Sequence, residues 1–194
     1  MKKDIILAGV GGQGILSIAA IIGYAAVQTG LYLKQAEVHG MSQRGGDVQS
    51  NLRLSDKPIA SDLIPHGRAD MILSVEPMES LRYLPYLAPE GWVITNTKPF
   101  INIPDYPKEK LLMEEIEKLP HHVALDAEAM AMEIGTVKAA NVVMLGAASP
   151  FLDLEYDKLR DAITFLFREK GHDLVELNLK ALESGRQFAQ KNLN

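Results

Sequence analysis

Two short segments hold the residue types that can do chemistry. The first is Gly9-Val10-Gly11-Gly12-Gln13-Gly14, a match to G-x-G-x-x-G. In such a loop the first glycine permits a tight turn, the second lets backbone approach a ligand, and the third lets helix and strand pack closely. The free N–H groups at the start of a following helix then favour an anion. The second segment is Glu37-Val38-His39-Gly40-Met41-Ser42-Gln43-Arg44-Gly45-Gly46. It gathers an acid, an imidazole, a hydroxyl, an amide and a guanidinium, with three glycines to relax the backbone. Arg44 can grip a phosphate or carboxylate bidentately. His39 has a side chain that titrates near neutrality. A serine-hydrolase elbow is excluded, because Ser42 is followed by Gln43 and Arg44 rather than by the glycine that elbow needs.

The flanking sequence must position these groups. Asp4 to Gly9 is a short apolar run ending in glycine and predicts a buried parallel strand. Ile15, Ile18, Ala19 and Ile22 keep helical spacing, and Gly30 closes the helix. Leu31 to Ala36 predicts a second strand, completing a βαβ unit, with Glu37 at its end near where a ribose-binding acid would sit. Glu37 to Asp47 predicts a loop, and Val48, Ser50, Leu52 and Leu54 a strand with one wet face. Further strands are expected over 70–75, 91–96 and 123–125. Helices are expected from Pro77, carrying Met78, Leu81 and Leu84, over 111–119, and from Ala127, Lys138 and Glu155. A last amphipathic helix runs from about Leu174 to Ala189, and 97–108 is an irregular crossing with Pro99, Pro104 and Pro107. The alternation predicts an α/β fold: one Rossmann-like three-layer domain over residues 1–194, with a mostly parallel sheet and C-terminal helices. Glu76, at a strand end before Pro77, has two readings. One is a cofactor-facing carboxylate at the ligand edge of the sheet, the other an acid favoured by the start of a helix.

Composition removes whole classes of function. The chain has no cysteine, so it holds no disulfide, no thiolate-bound iron–sulfur cluster and no cysteine nucleophile. A formal charge of −5 argues against non-specific nucleic-acid binding. The longest uncharged apolar-rich run, Ile15 to Val27, is too short to span a bilayer. Glycines interrupt any signal-peptide core after Met1-Lys2-Lys3, so a cytoplasmic location is expected. His121-His122 is an adjacent pair whose side chains leave a strand on opposite faces, and no metal site is expected.

GVGGQGI followed by EVHGMSQRGGDVQSNLRL resembles the gamma-type subunit or domain of the 2-oxoacid:ferredoxin oxidoreductases, and HGMSQRGG looks most like its indolepyruvate branch. SVEPMESLR, GWVITNT and NLKALESGR extend the resemblance over essentially the whole chain. Such enzymes decarboxylate a 2-oxoacid on thiamine diphosphate, pass electrons singly through iron–sulfur clusters to ferredoxin, and hand the acyl group to coenzyme A. The resemblance implies that thiamine and clusters belong to a large partner subunit, which also meets ferredoxin. This chain, without a thiamine signature or a cysteine, is then inactive alone. An isolated homodimer is a further expectation. The implied site comprises His39, Ser42, Gln43 and Arg44 as hydrogen-bonding and anion-binding groups near thiamine and coenzyme A. Around them stand Gly9, Gly11, Gly12, Gln13, Gly14, Glu37, Gly40, Met41, Gly45, Gly46 and Glu76 as binding positions. For His39 positioning is preferred to proton transfer, since thiamine's own aminopyrimidine handles the key proton. Two other readings stay open from the residues alone. One is a free-standing NAD- or flavin-dependent oxidoreductase using Gly9–Gly14 and Glu37. The other is a non-catalytic nucleotide-binding interaction module.

Overall fold

A computed structural model describes residues 1–39 and 45–192, the side chain of His39 excepted. Six strands form one sheet: β1 (Lys2–Val10), β2 (Tyr32–His39), β3 (Asp47–Ser55), β4 (Ala69–Ser74), β5 (Leu87–Asn96) and β6 (His122–Leu125). Their order is β2-β3-β1-β4-β5-β6. β1, β4, β5 and β6 pair in parallel, and β3 runs antiparallel to both of its neighbours. The sheet is therefore mostly parallel, as its apolar strand runs require.

Alternate residues of β1 feed two cores. Ile5 and Leu7 face a large cluster shared with α1 (Ile15–Gln28), α4 (Ala127–Ile134), α5 (Ala140–Ala148), α6 (Tyr156–Phe167) and α7 (His172–Asn192). Ile6 and Ala8 face a smaller one with Ile64, Ile72, Tyr83 and Val93. That second face is covered by α2 (Pro77–Arg82) and α3 (Glu109–Glu117). At about 1.5–3 kcal/mol for each fully buried Leu or Ile, the sheet and α1 supply much of the hydrophobic stabilisation, through Ile5, Leu7, Ile18, Ile22, Leu52 and Ile94 among others.

Four expectations are corrected. First, β1 and β2 run parallel but are not neighbours, because β3 lies between them. Both faces of β3 are covered, which suits an interior strand, whereas β2 exposes Tyr32 and Val38 and takes the edge. Second, the segment after the second strand is shorter as a loop. β2 continues through Glu37 to His39, with Glu37 opposite Ser50, and Asp47 already belongs to β3. Third, the expected wet face of β3 is closed. Asn51 Oδ1 accepts from the Ile64 N–H at 3.1 Å, drawing the 56–68 connection over it, and Arg53 grips Asp4. Fourth, the helix from Pro77 ends at Arg82, and Leu84 opens a separate 3-10 turn. Pro85 disfavours α geometry at Leu84.

α1 begins where Gly14 takes a left-handed conformation. It ends as expected: Thr29 Oγ1 and the N–H groups of Thr29 and Leu31 satisfy its last carbonyls, and Gly30 turns at φ 77°. α5 and α7 cross with backbones in contact. A Cβ on Gly146 would lie 2.1 Å from the Leu182 carbonyl oxygen, and one on Gly185 1.9 Å from that of Val143. Among the described residues no helix is long and apolar enough to cross a membrane.

Candidate functional site

β1 delivers the chain to the glycine loop at the carboxyl edge of the sheet. Packing requires glycine at two positions here. A Cβ at Gly9 would lie 2.4 Å from Val75 Cγ2, and one at Gly14 would lie 2.5 Å from Asn141 Nδ2. Gly14 also has φ 83°, where L side chains are strained. The Asn141 amide donates to the Gly14 carbonyl at 3.1 Å, fixing the start of α1 from 127 positions away in the chain. No side chain caps this helix. Of its first N–H groups, which an α-helix leaves without i−4 partners, that of Ser17 donates to the Gly14 carbonyl at 3.0 Å.

Gln13 turns inward. Its Oε1 accepts from the Val10 N–H at 2.8 Å, and its Nε2 donates to the Val75 carbonyl at 3.4 Å. It braces the loop against the end of β4, and it also lines a cleft beside the loop.

The two chemistry-bearing segments are joined by backbone. The Gly11 N–H donates to the Gly46 carbonyl at 2.8 Å, and the Gly45 N–H donates to the Gly11 carbonyl at 3.3 Å. Gly45 holds φ 78° at this junction. Gly40, Met41, Ser42, Gln43 and Arg44, and the side chain of His39, lie outside the described residues.

A cleft opens on each side of the glycine loop. One, of about 360 Å³, is lined by Gly12, Gly14, Ser17, Asn96, Lys138 and Asn141 among others. It sits beyond the ends of β1, β4 and β5, where the connections diverge to the two sides of the sheet. That is the switch point at which α/β sheets bind ligands. Asn96 shapes it by donating to the Val75 carbonyl and accepting from the Ala127 N–H. The other cleft, of about 410 Å³, lies between Gly11, Gly12 and Leu16 on one side and Glu37 and Val48 on the other. The exposed Glu37 thus shares a cleft with the loop, though one strand farther off than a dinucleotide fold would place it. The first cleft offers N–H dipoles, a hydroxyl and an ammonium, a set suited to an anionic, phosphate-bearing ligand.

Glu76 follows its helix-start reading. It is fully buried, and its Oε2 accepts from the Glu79 N–H at 2.8 Å as the N-cap of α2. Its Oε1 accepts from the Phe100 N–H at 3.2 Å and from the Tyr106 hydroxyl. Burial and the Glu76 carboxylate together push the Tyr106 pKa far up. Burial also raises the Glu79 pKa against the opposing pull of Arg82, at 2.7 Å. His122 Nδ1 lies 2.8 Å from the Leu119 carbonyl, and the His121 ring stacks on Trp92. The described residues contain no group of three potential metal ligands.

Asn96, Asn102, Tyr106, Lys138 and Asn141 escaped the sequence reading. Each stands in an ordinary local context and reaches the site only through the tertiary fold.

A glycine loop at the switch point of a mostly parallel sheet, tied to a second glycine-rich turn and flanked by C-terminal helices, defines a phosphate-compatible α/β fold. The family model described as pyruvate ferredoxin/flavodoxin oxidoreductase matches residues 4–188, and the chain belongs to that family. It is 37% identical, over all of both chains, to the indolepyruvate oxidoreductase subunit IorB of Pyrococcus horikoshii. Among solved structures, it matches the 2-oxoglutarate:ferredoxin oxidoreductase of Magnetococcus marinus, determined with 2-oxoglutarate, coenzyme A and succinyl-CoA bound, at TM-score 0.77 and 20% identity. That match covers 98% of this chain and 31% of that one, so the chain spans about a third of its length. The keto/oxoacid ferredoxin oxidoreductase gamma subunit of Geobacter sulfurreducens matches at TM-score 0.73 and 24% identity, over 97% of this chain and 99% of that one. Both structural likenesses carry the fold.

Proposed function

We propose that this chain is the small subunit of an aryl-pyruvate-type 2-oxoacid:ferredoxin oxidoreductase. With a large subunit it converts a 2-oxoacid, coenzyme A and two oxidised ferredoxins into acyl-CoA, carbon dioxide, a proton and two reduced ferredoxins. The observation that carries this reading is the end-to-end relation to an indolepyruvate oxidoreductase subunit. The absence of cysteine fits a division of labour, since clusters held by thiolates must then sit on the partner. Thiamine diphosphate, also on the partner, supplies the decarboxylation chemistry. Ferredoxin docks on the partner as well, and the complex works in the cytoplasm.

This chain's own residues bind and orient. The uncapped start of α1, with Ser17 and Lys138, is suited to the phosphates of coenzyme A. Arg44, directly before Gly45, grips a phosphate or the substrate carboxylate. His39, Ser42 and Gln43 supply hydrogen bonds, with Glu37 orienting them. Gly9, Gly11, Gly12, Gly14, Gly45 and Gly46 keep the backbone close to the ligand, with Gly40 and Met41 as further proposed binding positions.

Arg44→Ala in the assembled complex tests the assignment. A charge-assisted hydrogen bond is worth about 1.5–3 kcal/mol, so the KM for coenzyme A or for the 2-oxoacid should rise roughly ten- to hundredfold. The subunits should stay associated on size exclusion. Unchanged kinetics would remove Arg44 from the site.

A further inference from the structure

The crossing between β5 and α3 is a strap bound at two points. At its base the buried Glu76 carboxylate accepts from the Phe100 N–H at 3.2 Å and from the Tyr106 hydroxyl. Between these anchors, Asn102 Nδ2 donates to the Gly45 carbonyl at 2.8 Å, across 57 positions of sequence. Gly45 is the residue whose N–H reaches Gly11, and Gly46 accepts from Gly11 in return. The strap therefore bears on the backbone junction that joins the glycine loop to the β2–β3 turn. Neither backbone there has a side chain of its own to hold it, and Gly45 at φ 78° is in a conformation glycine can easily leave.

We propose that Asn102 is a positioning residue for the coenzyme A site: its amide, held in place by the Tyr106–Glu76 anchor, clamps Gly45 and so fixes Gly11 and the mouth of the glycine loop. The inference rests on the function proposed above. Asn102 acts through Gly45. Ile101 and Ile103, on either side, are exposed, so the amide is the strap's inward contact at this point. The assignment predicts that loss of a single donor is felt at the loop and not across the fold. An ionised carboxylate of the same shape cannot donate to a carbonyl, so Asn102→Asp, assayed at neutral pH, is the informative change.

The experiment uses the two-subunit complex, comparing wild type with Asn102→Asp, Asn102→Gln and Tyr106→Phe. In Asn102→Asp, amide exchange of Gly11 and Gly45 should accelerate about tenfold while β4 and β5 amides keep their rates, and Tm should hold within about 2 °C. The KM for coenzyme A should rise at least fivefold with kcat within twofold. Asn102→Gln, which restores a donor, should recover part of the loss, and Tyr106→Phe should reproduce it more weakly. Unchanged exchange at Gly11 and Gly45, or a uniform fall of kcat, Tm and protection, would overturn the proposal. A large subunit fully active without this chain would instead sink the functional reading, leaving the exchange result to judge the clamp by itself.

Discussion

Burial decides what the acidic residues near the carboxyl edge of the sheet can do. Glu79 is sealed from water and paired with a half-exposed Arg82, and burial outweighs that partner in raising its pKa. The sign of the effect on stability follows. Between the ordinary glutamate pKa and the raised folded value, the native state holds a proton that the unfolded chain has released, so stability falls as pH rises through that window. Below the unfolded value the contribution is fully present. Glu79→Gln, uncharged at every pH, should flatten this slope in urea unfolding between pH 4 and 8, and a slope equal to wild type would show that another group sets it. At this scale the sequence was a partial guide. It drew attention to Gly9 and Gly14, which stand in tight packing, and to Glu76, which caps α2, because glycine spacing and a carboxylate before proline are local signals. It did not foresee Asn102 and Asn141 reaching over, since nothing in a neighbourhood of a few residues encodes a contact made 57 or 127 positions away.

Among the elements, the sharpest packing constraint is the crossing of α5 and α7. In a solvated helix Gly→Ala stabilises by up to about 1 kcal/mol. At Gly185 the added methyl would meet the Val143 carbonyl, so the helices must separate, and Gly185→Ala should instead destabilise by about 3 kcal/mol. Thermal unfolding checks this, and a Tm at or above wild type would mean that the crossing relaxes freely. Helices were legible because α6 and α7 repeat apolar residues at helical spacing and glycines or prolines mark several ends. Strand neighbours were not. A βαβ pattern reads the same whether the second strand lies beside the first or one place away, and only the two-sided burial of β3 reveals that it is inserted between them.

The whole molecule looks like a fold built to complete something else. A carboxyl-edge site is assembled from the glycine loop, the β2–β3 turn and the strap, yet the chain has no cysteine for an electron-carrying cluster. Its full-length relation to an indolepyruvate oxidoreductase subunit supplies the context in which that gap makes sense. The proposed aryl-pyruvate preference rests on that relation and on the HGMSQRGG sequence. The central claim is that the chemistry needs both chains. Large and small subunits should therefore be purified apart under anaerobic conditions and mixed at rising ratios while indolepyruvate- and coenzyme-A-dependent reduction of a viologen dye is followed. The account predicts negligible rate from either alone and a rate that saturates at a fixed ratio of the two. Full activity of the large subunit by itself, unchanged on addition of this chain, would contradict it.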